Sequence, residues 1–104
     1  MYIQLEILKN LVISPDVEQK LIRKHGVEIA EVRHCFYNRN GKLLLDNRAL
    51  HKTNPPTLWF IAMTNKDRLL KIVYIQHGAA IHLRTAYEPN AEELAIYRRY
   101  GGAV

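Results

Sequence analysis

The chain has 104 residues, 48% of them hydrophobic, and carries 15 Lys and Arg against 10 Asp and Glu, a net charge of +5. That length suits one domain, expected over residues 1–104, with a core that needs no disulfide staples. Its apolar runs are too short to cross a bilayer, and no charged leader precedes a long apolar region, so neither a membrane partner nor a secretory leader is expected.

The single Cys35 cannot form an internal disulfide, which fits a reducing, cytoplasmic setting. The positive surplus favours phosphate or an acidic protein as a partner without choosing between them.

Residues 2–8, YIQLEIL, alternate loosely and predict a first strand, and LVI at 11–13 is a second apolar run. A well-marked helix follows. Ser14 can cap it, Pro15 suits its first position, and Asp16 sits at the positive end of the dipole. Arg23, Lys24 and His25 lie near the negative end, and Gly26 can close the helix in the left-handed region. Ile29, Val32 and Phe36 predict a second helix from Glu28 to about Tyr37. Asn38–Gly41 is a turn cluster, Lys42–Leu45 a strand, and residues 46–56 a loop ending in Pro55–Pro56.

Residues 57–87 read as three strands joined by short breaks at Asn65–Asp67 and Gly78, an antiparallel meander. Strand 57–64 is apolar on both faces, which marks it as central and makes Trp59 and Phe60 core residues rather than base-stacking groups. In strand 80–87, Ile81, Leu83 and Thr85 alternate with His82, Arg84 and Ala86. Asn90 with Glu93 then forms a capping box for a terminal helix, and Gly101–Gly102 are expected to fray its end. The class predicted is α+β: a small antiparallel sheet of three to five strands, with two N-terminal helices and one C-terminal helix packed on it.

No metal-ligand spacing, phosphate loop or dinucleotide glycine pattern is present, so no metal or cofactor is expected. His34 and Cys35 are neighbours on a helix and point apart, and Cys35 is expected to be buried. What remains is a polar set: Lys24, His25, Arg84, Tyr87, Arg98 and Arg99. RNA cleavage by its own 2′-hydroxyl needs a proton acceptor, charge to offset the phosphate, and a proton for the leaving oxygen. A histidine suits the proton steps, and Lys or Arg suits the phosphate. Each residue also has a plainer reading. His25 can satisfy the helix's last carbonyls, Lys24 can balance the dipole, Arg84 can be solvated, and Tyr87 can anchor the last helix.

The stretch Ser14-Pro-Asp-Val-Glu-Gln-Lys-Leu-Ile-Arg-Lys-His-Gly-Val27 resembles the BrnT-like toxins of bacterial type II toxin–antitoxin pairs. That family opens with a helix ending in Lys-His-Gly-Val, matched by Lys24, His25, Gly26 and Val27, and its second helix leads to a phenylalanine, matched by Phe36. Its last strand ends in Ser/Thr-Ala-Arg, followed by a Glu and an aromatic; here Thr85, Ala86, Glu93 and Tyr97 match. The likeness spans about residues 12–100. It implies a RelE-like fold, a ribosome-independent endoribonuclease, and a cognate antitoxin, acidic or DNA-binding, with which the toxin forms a hetero-oligomer or stands as a homodimer. It also implies an active region at Lys24, His25 and the end of the last strand. Tyr87 stands where the family has arginine, and a tyrosine cannot bring that charge to a phosphate.

The reading that results is a toxin-like endoribonuclease working without metal. His25 is its acid or base, Lys24 and Arg84 offset phosphate charge, and Tyr87 positions the phosphate. The rivals are an inactive relative that binds an antitoxin-like protein and a nucleic-acid-binding module that does not cleave.

Overall fold

The computed structural model describes residues 9–46 and 54–104. In chain order it holds β1 (Leu11–Val12), α1 (Pro15–Lys20) running on into a π-helical turn (Leu21–His25), and α2 (Ile29–Asn38). Then come β2 (Leu44–Leu45), β3 (Thr57–Met63), β4 (Leu69–His77), β5 (Ala80–Tyr87) and α3 (Ala91–Tyr100). The class is α+β, with three helices on a five-stranded sheet ordered β1-β5-β4-β3-β2. The strand expected over 2–8 lies outside the described residues, as does most of the loop expected over 46–56.

The meander forms as its turn residues dictate. Between β3 and β4, the Thr64 N–H donates to the Arg68 carbonyl at 2.8 Å, with Asp67 at φ 60°. The Thr64 hydroxyl, itself buried, accepts from the backbone N–H groups of Lys66 and Arg68. Between β4 and β5, Gly78 takes φ 57°, open to glycine without strain. β1 departs from the antiparallel pattern: it pairs parallel to β5, Leu11 with Ile81 and Val12 with His82. The LVI run therefore joins the far edge of the sheet after a long crossover.

Strands of both central types bury both faces because helices lie on both sides. Trp59, Phe60, Ile61 and Ala62 of β3 are all buried. On one face α2 packs through Phe36, which meets Phe60 at 5.2 Å and Tyr74 at 5.6 Å between ring centroids. The Cys35 thiol donates to the Ala62 carbonyl at 3.5 Å, and burial pushes its pKa up to about 12. On the other face α3 packs Tyr97 against Trp59 at 5.6 Å. Cross-strand partners share a face, and the ladder Ile61–Lys71–Tyr87 lies on the α3 side.

The alternation expected for the last strand is interrupted. Val73 pairs with Thr85 but Tyr74 with Leu83, so Arg84 is the extra residue of a β-bulge. The interruption puts Ala86, rather than Thr85, on the buried side with Ile81 and Leu83, all three buried. Thr85 joins His82 and Tyr87 on the other face.

The end of α3 does not fray where it was expected to. Gly101 is buried, its carbonyl accepts the Lys42 N–H at 2.9 Å, and the Tyr97 hydroxyl donates to the Lys42 carbonyl at 2.8 Å. Gly41 passes so close that a Cβ there would stand 2.7 Å from the Ala103 carbonyl oxygen and 2.8 Å from that of Gly101. Both contacts are backbone, so neither can swing aside. Gly41→Ala is expected to cost about 1–3 kcal/mol through overpacking. The check is a lowered urea midpoint with unchanged slope, and a wild-type midpoint would contradict the close approach.

Candidate functional site

His25 owes its place to how α1 ends. The Ser14 hydroxyl accepts the Val17 N–H at 3.3 Å, and Pro15 opens the helix. Over Leu21–His25 the coil widens to π-helical spacing before Gly26 closes it at φ 62°. Leu21 stays buried as its anchor. Single π turns recur at functional sites, because the extra residue re-aims the side chains that follow.

The plainer reading of His25, a cap for the helix's last carbonyls, is taken by another residue. Arg68, at the head of β4, donates to the carbonyl of Gly26 at 2.9 Å and to that of His25 at 3.2 Å. The same guanidinium grips both oxygens of Glu31 at 3.2 Å. It also pairs with the exposed Glu88 at 3.5 Å. Glu31 in turn closes the capping box of α2 by accepting the Glu28 N–H at 3.1 Å. Burial lifts the pKa of Glu31, but the Glu28 N–H and Arg68 outweigh it, and the net shift is downward.

The His25 ring is thus free for another contact, and it lies on Tyr87 with centroids 5.4 Å apart and planes tilted by 31°. Among the described strands, none pairs with the outer edge of β5 beyond His82, so the end of α1 can reach this position. Burial first, then the charge of Lys24, lowers the His25 pKa below its ordinary 6.5. An imidazole so placed is neutral near pH 7 and able to accept a proton.

Tyr87 continues into a buried polar cluster. Its hydroxyl donates to Glu93 Oε2 at 2.6 Å, and Lys71 Nζ donates to the same oxygen at 2.8 Å. The Lys71 ammonium also lies 4.5 Å from the Trp59 ring centroid. Burial lifts the pKa of Glu93, and the bonds from Lys71, Tyr87 and the Asn90 N–H bring it below its ordinary value. Lys71, Glu93 and Trp59 help line a cleft of about 580 Å³ bounded by Leu45, Asn90 and Ile96.

Of the residues singled out in the sequence, the structure joins His25 to Tyr87, with exposed Lys24 beside them. Lys24 and its neighbours Lys20 and Arg23 line a shallow hollow on the exposed side of α1. Arg84 is exposed in its bulge, and its side chain makes no hydrogen bond, ion pair or cation–ring contact with another described residue. Arg98 and Arg99 stand in the last turn of α3, near Gly101 and Lys42, away from the end that carries Glu93. The hydroxyl of Tyr87 is given to Glu93, so its ring, not its oxygen, faces the histidine. The Asn65 N–H donates to His34 Nδ1 at 3.3 Å, which ties that ring to the β3–β4 turn rather than to Cys35. His77 and His82 stand edge to face, but among the described residues no three His, Cys, Asp or Glu converge as a metal would need.

Arg68, Lys71 and Glu31 escaped the sequence reading. Lys71 left a signal: a lysine in an otherwise apolar central strand requires a buried counter-charge. Arg68 left none, since a cation after a turn is ordinary. No helix among the described residues is long and apolar enough to cross a membrane. No family model matches the chain, and no curated protein matches it.

Glu31, Glu93 and His25 all have folded pKa values below their ordinary ones, so the unfolded chain binds more protons and stability rises with pH. The carboxylate contribution is complete above 4.5 and is lost as pH falls through the lower folded values; that of His25 is complete above 6.5 and shrinks below it. The urea midpoint should therefore fall slightly as pH drops below 6.5 and more steeply once it drops below 4.5, and Glu93→Gln should flatten the steep part. A midpoint level through that range would contradict the linkage.

Proposed function

We propose that the protein is a toxin-like endoribonuclease of a type II toxin–antitoxin pair, acting in the cytoplasm and held in check by an antitoxin chain. The observation that carries this reading is His25: an imidazole half-buried on Tyr87, biased to its neutral form, with the charge of the exposed Lys24 acting on it. Neutral imidazole next to fixed positive charge is what attack by an RNA 2′-hydroxyl requires. His25 takes the 2′-hydroxyl proton as the 2′-oxygen bonds to phosphorus. The bond from phosphorus to the 5′-oxygen breaks, that oxygen takes a proton from water, and a 2′,3′-cyclic phosphate remains. Lys24 offsets charge on the phosphate, with Arg84 a second cation for the same strand of RNA. Tyr87 acts by holding His25 rather than by touching phosphate, since its hydroxyl is bonded to Glu93.

A second reading has its own support. Tyr87 replaces the arginine of the family the chain resembles, and its hydroxyl is committed to a carboxylate. A relative that has lost cleavage would keep the basic surface for an acidic antitoxin-like chain or for nucleic acid.

End-labelled RNA incubated with wild type, His25→Ala and Arg84→Ala separates the readings. Cleavage should fall about 10²–10⁴-fold in His25→Ala, as for loss of a general base, and less in Arg84→Ala. RNA left intact by the wild type, with salt-dependent binding that survives His25→Ala, would sink the enzyme and leave a binding protein.

A further inference from the structure

Glu93 gathers groups from three parts of the fold. Its Oε2 accepts from Lys71 of β4 at 2.8 Å and from Tyr87 of β5 at 2.6 Å, while Oε1 accepts the Asn90 N–H at 3.0 Å. Its own N–H returns to the Asn90 side chain at 2.8 Å, so the first turn of α3 fixes the carboxylate's backbone as well. The ion pair is mostly out of water, with side chains 8% and 18% exposed for Lys71 and Glu93. Two short charge-assisted bonds to one oxygen leave that carboxylate little rotational freedom. The ring they hold inherits the constraint. Tyr87 sits with the Lys71 ammonium 5.7 Å from its centroid and the His25 ring 5.4 Å from it.

We propose that Glu93 is a positioning residue for His25. It acts from α3 through Tyr87, and Lys71 locks it in place. His25 is then held at two points: Arg68 binds its backbone carbonyl, and the tethered tyrosine ring backs its imidazole. The charged groups around His25 are Lys24 on its own turn, Arg68 at the head of β4, Glu31 of α2 paired to Arg68, and Glu88 just past β5. Tyr87 is the group in ring contact with it. Any effect on cleavage rests on the reading of His25 as a proton acceptor; the mechanical coupling does not.

The test follows the His25 ring by NMR as pH is varied, in wild type, Tyr87→Phe and Glu93→Gln, with His25→Ala assigning the signal. Tyr87→Phe is the deciding variant, since it keeps the ring and both members of the Lys71–Glu93 pair while taking away the hydroxyl that bonds Glu93. Its His25 midpoint should rise toward 6.5 as the ring loosens and water reaches the imidazole. Where RNA is cleaved, kcat should fall about 10-fold with KM unchanged, the mark of a displaced catalytic group. A folded Tyr87→Phe protein with the wild-type midpoint would overturn the coupling, whatever Glu93→Gln does. A shifted midpoint in a protein that never cleaves RNA would uphold the coupling and remove the ribonuclease reading instead.

Discussion

An ammonium group on the middle strand of an apolar sheet has to be answered by a charge. Lys71 lies on β4, the central strand, with neighbours on both sides and its head mostly shielded from water. Leaving it alone would cost several kcal/mol, and breaking such a buried pair by removing one partner typically costs about 3–5 kcal/mol. Glu93 meets the charge, and that fixes where α3 begins. Once the first turn of α3 is pinned over Lys71, Tyr97 falls on Trp59 one turn later, and the helix end reaches back to Lys42. Lys71 thus sets the placement of the whole C-terminal layer.

A second charge, three positions before Lys71, organises the entry to β4. Arg68 spans the end of α1, the first turn of α2 and the residue after β5, through two carbonyls and two carboxylates. The planar fork of a guanidinium can serve all of these at once, which a lysine could not. The contact to Glu88 is largely solvent-exposed and adds little; the grip on Glu31 and the helix carbonyls is the part that holds. Between these two centres lies His25, its backbone secured by one and its ring by the other. The histidine belongs to a small helix at the sheet's edge, yet its position is set by β4 and α3.

Local signals in the chain were legible wherever the physics is local. Ser14, Pro15 and Gly26 bounded α1, Asn90 and Glu93 capped α3, and the apolar density of 57–63 marked β3 as an interior strand, flanked on both sides. Each rests on groups a few residues apart, and their chemistry is the same in any fold. Less visible were the parallel pairing of β1, the bulge at Arg84 and the π-helical turn before His25. A bulge adds one residue on one strand only, so it is defined by the register of the partner strand, which no local pattern of residues 80–87 supplies.

From sequence alone came the class of fold, the limits of the main helices, and the pairing of His25 with a neighbouring cation. These follow from propensity, capping and proximity along the chain. The tertiary structure decided that α3 covers the face opposite α2, that Arg68 rather than His25 caps the end of α1, and that Tyr87 spends its hydroxyl on Glu93. The first two bring together residues more than 20 positions apart, and the third belongs to the cluster that joins Lys71 to Glu93 across 22 positions in a space largely shielded from water. A buried charge takes whichever partner the packed layers bring within reach, and only the assembled sheet and helices determine which one that is.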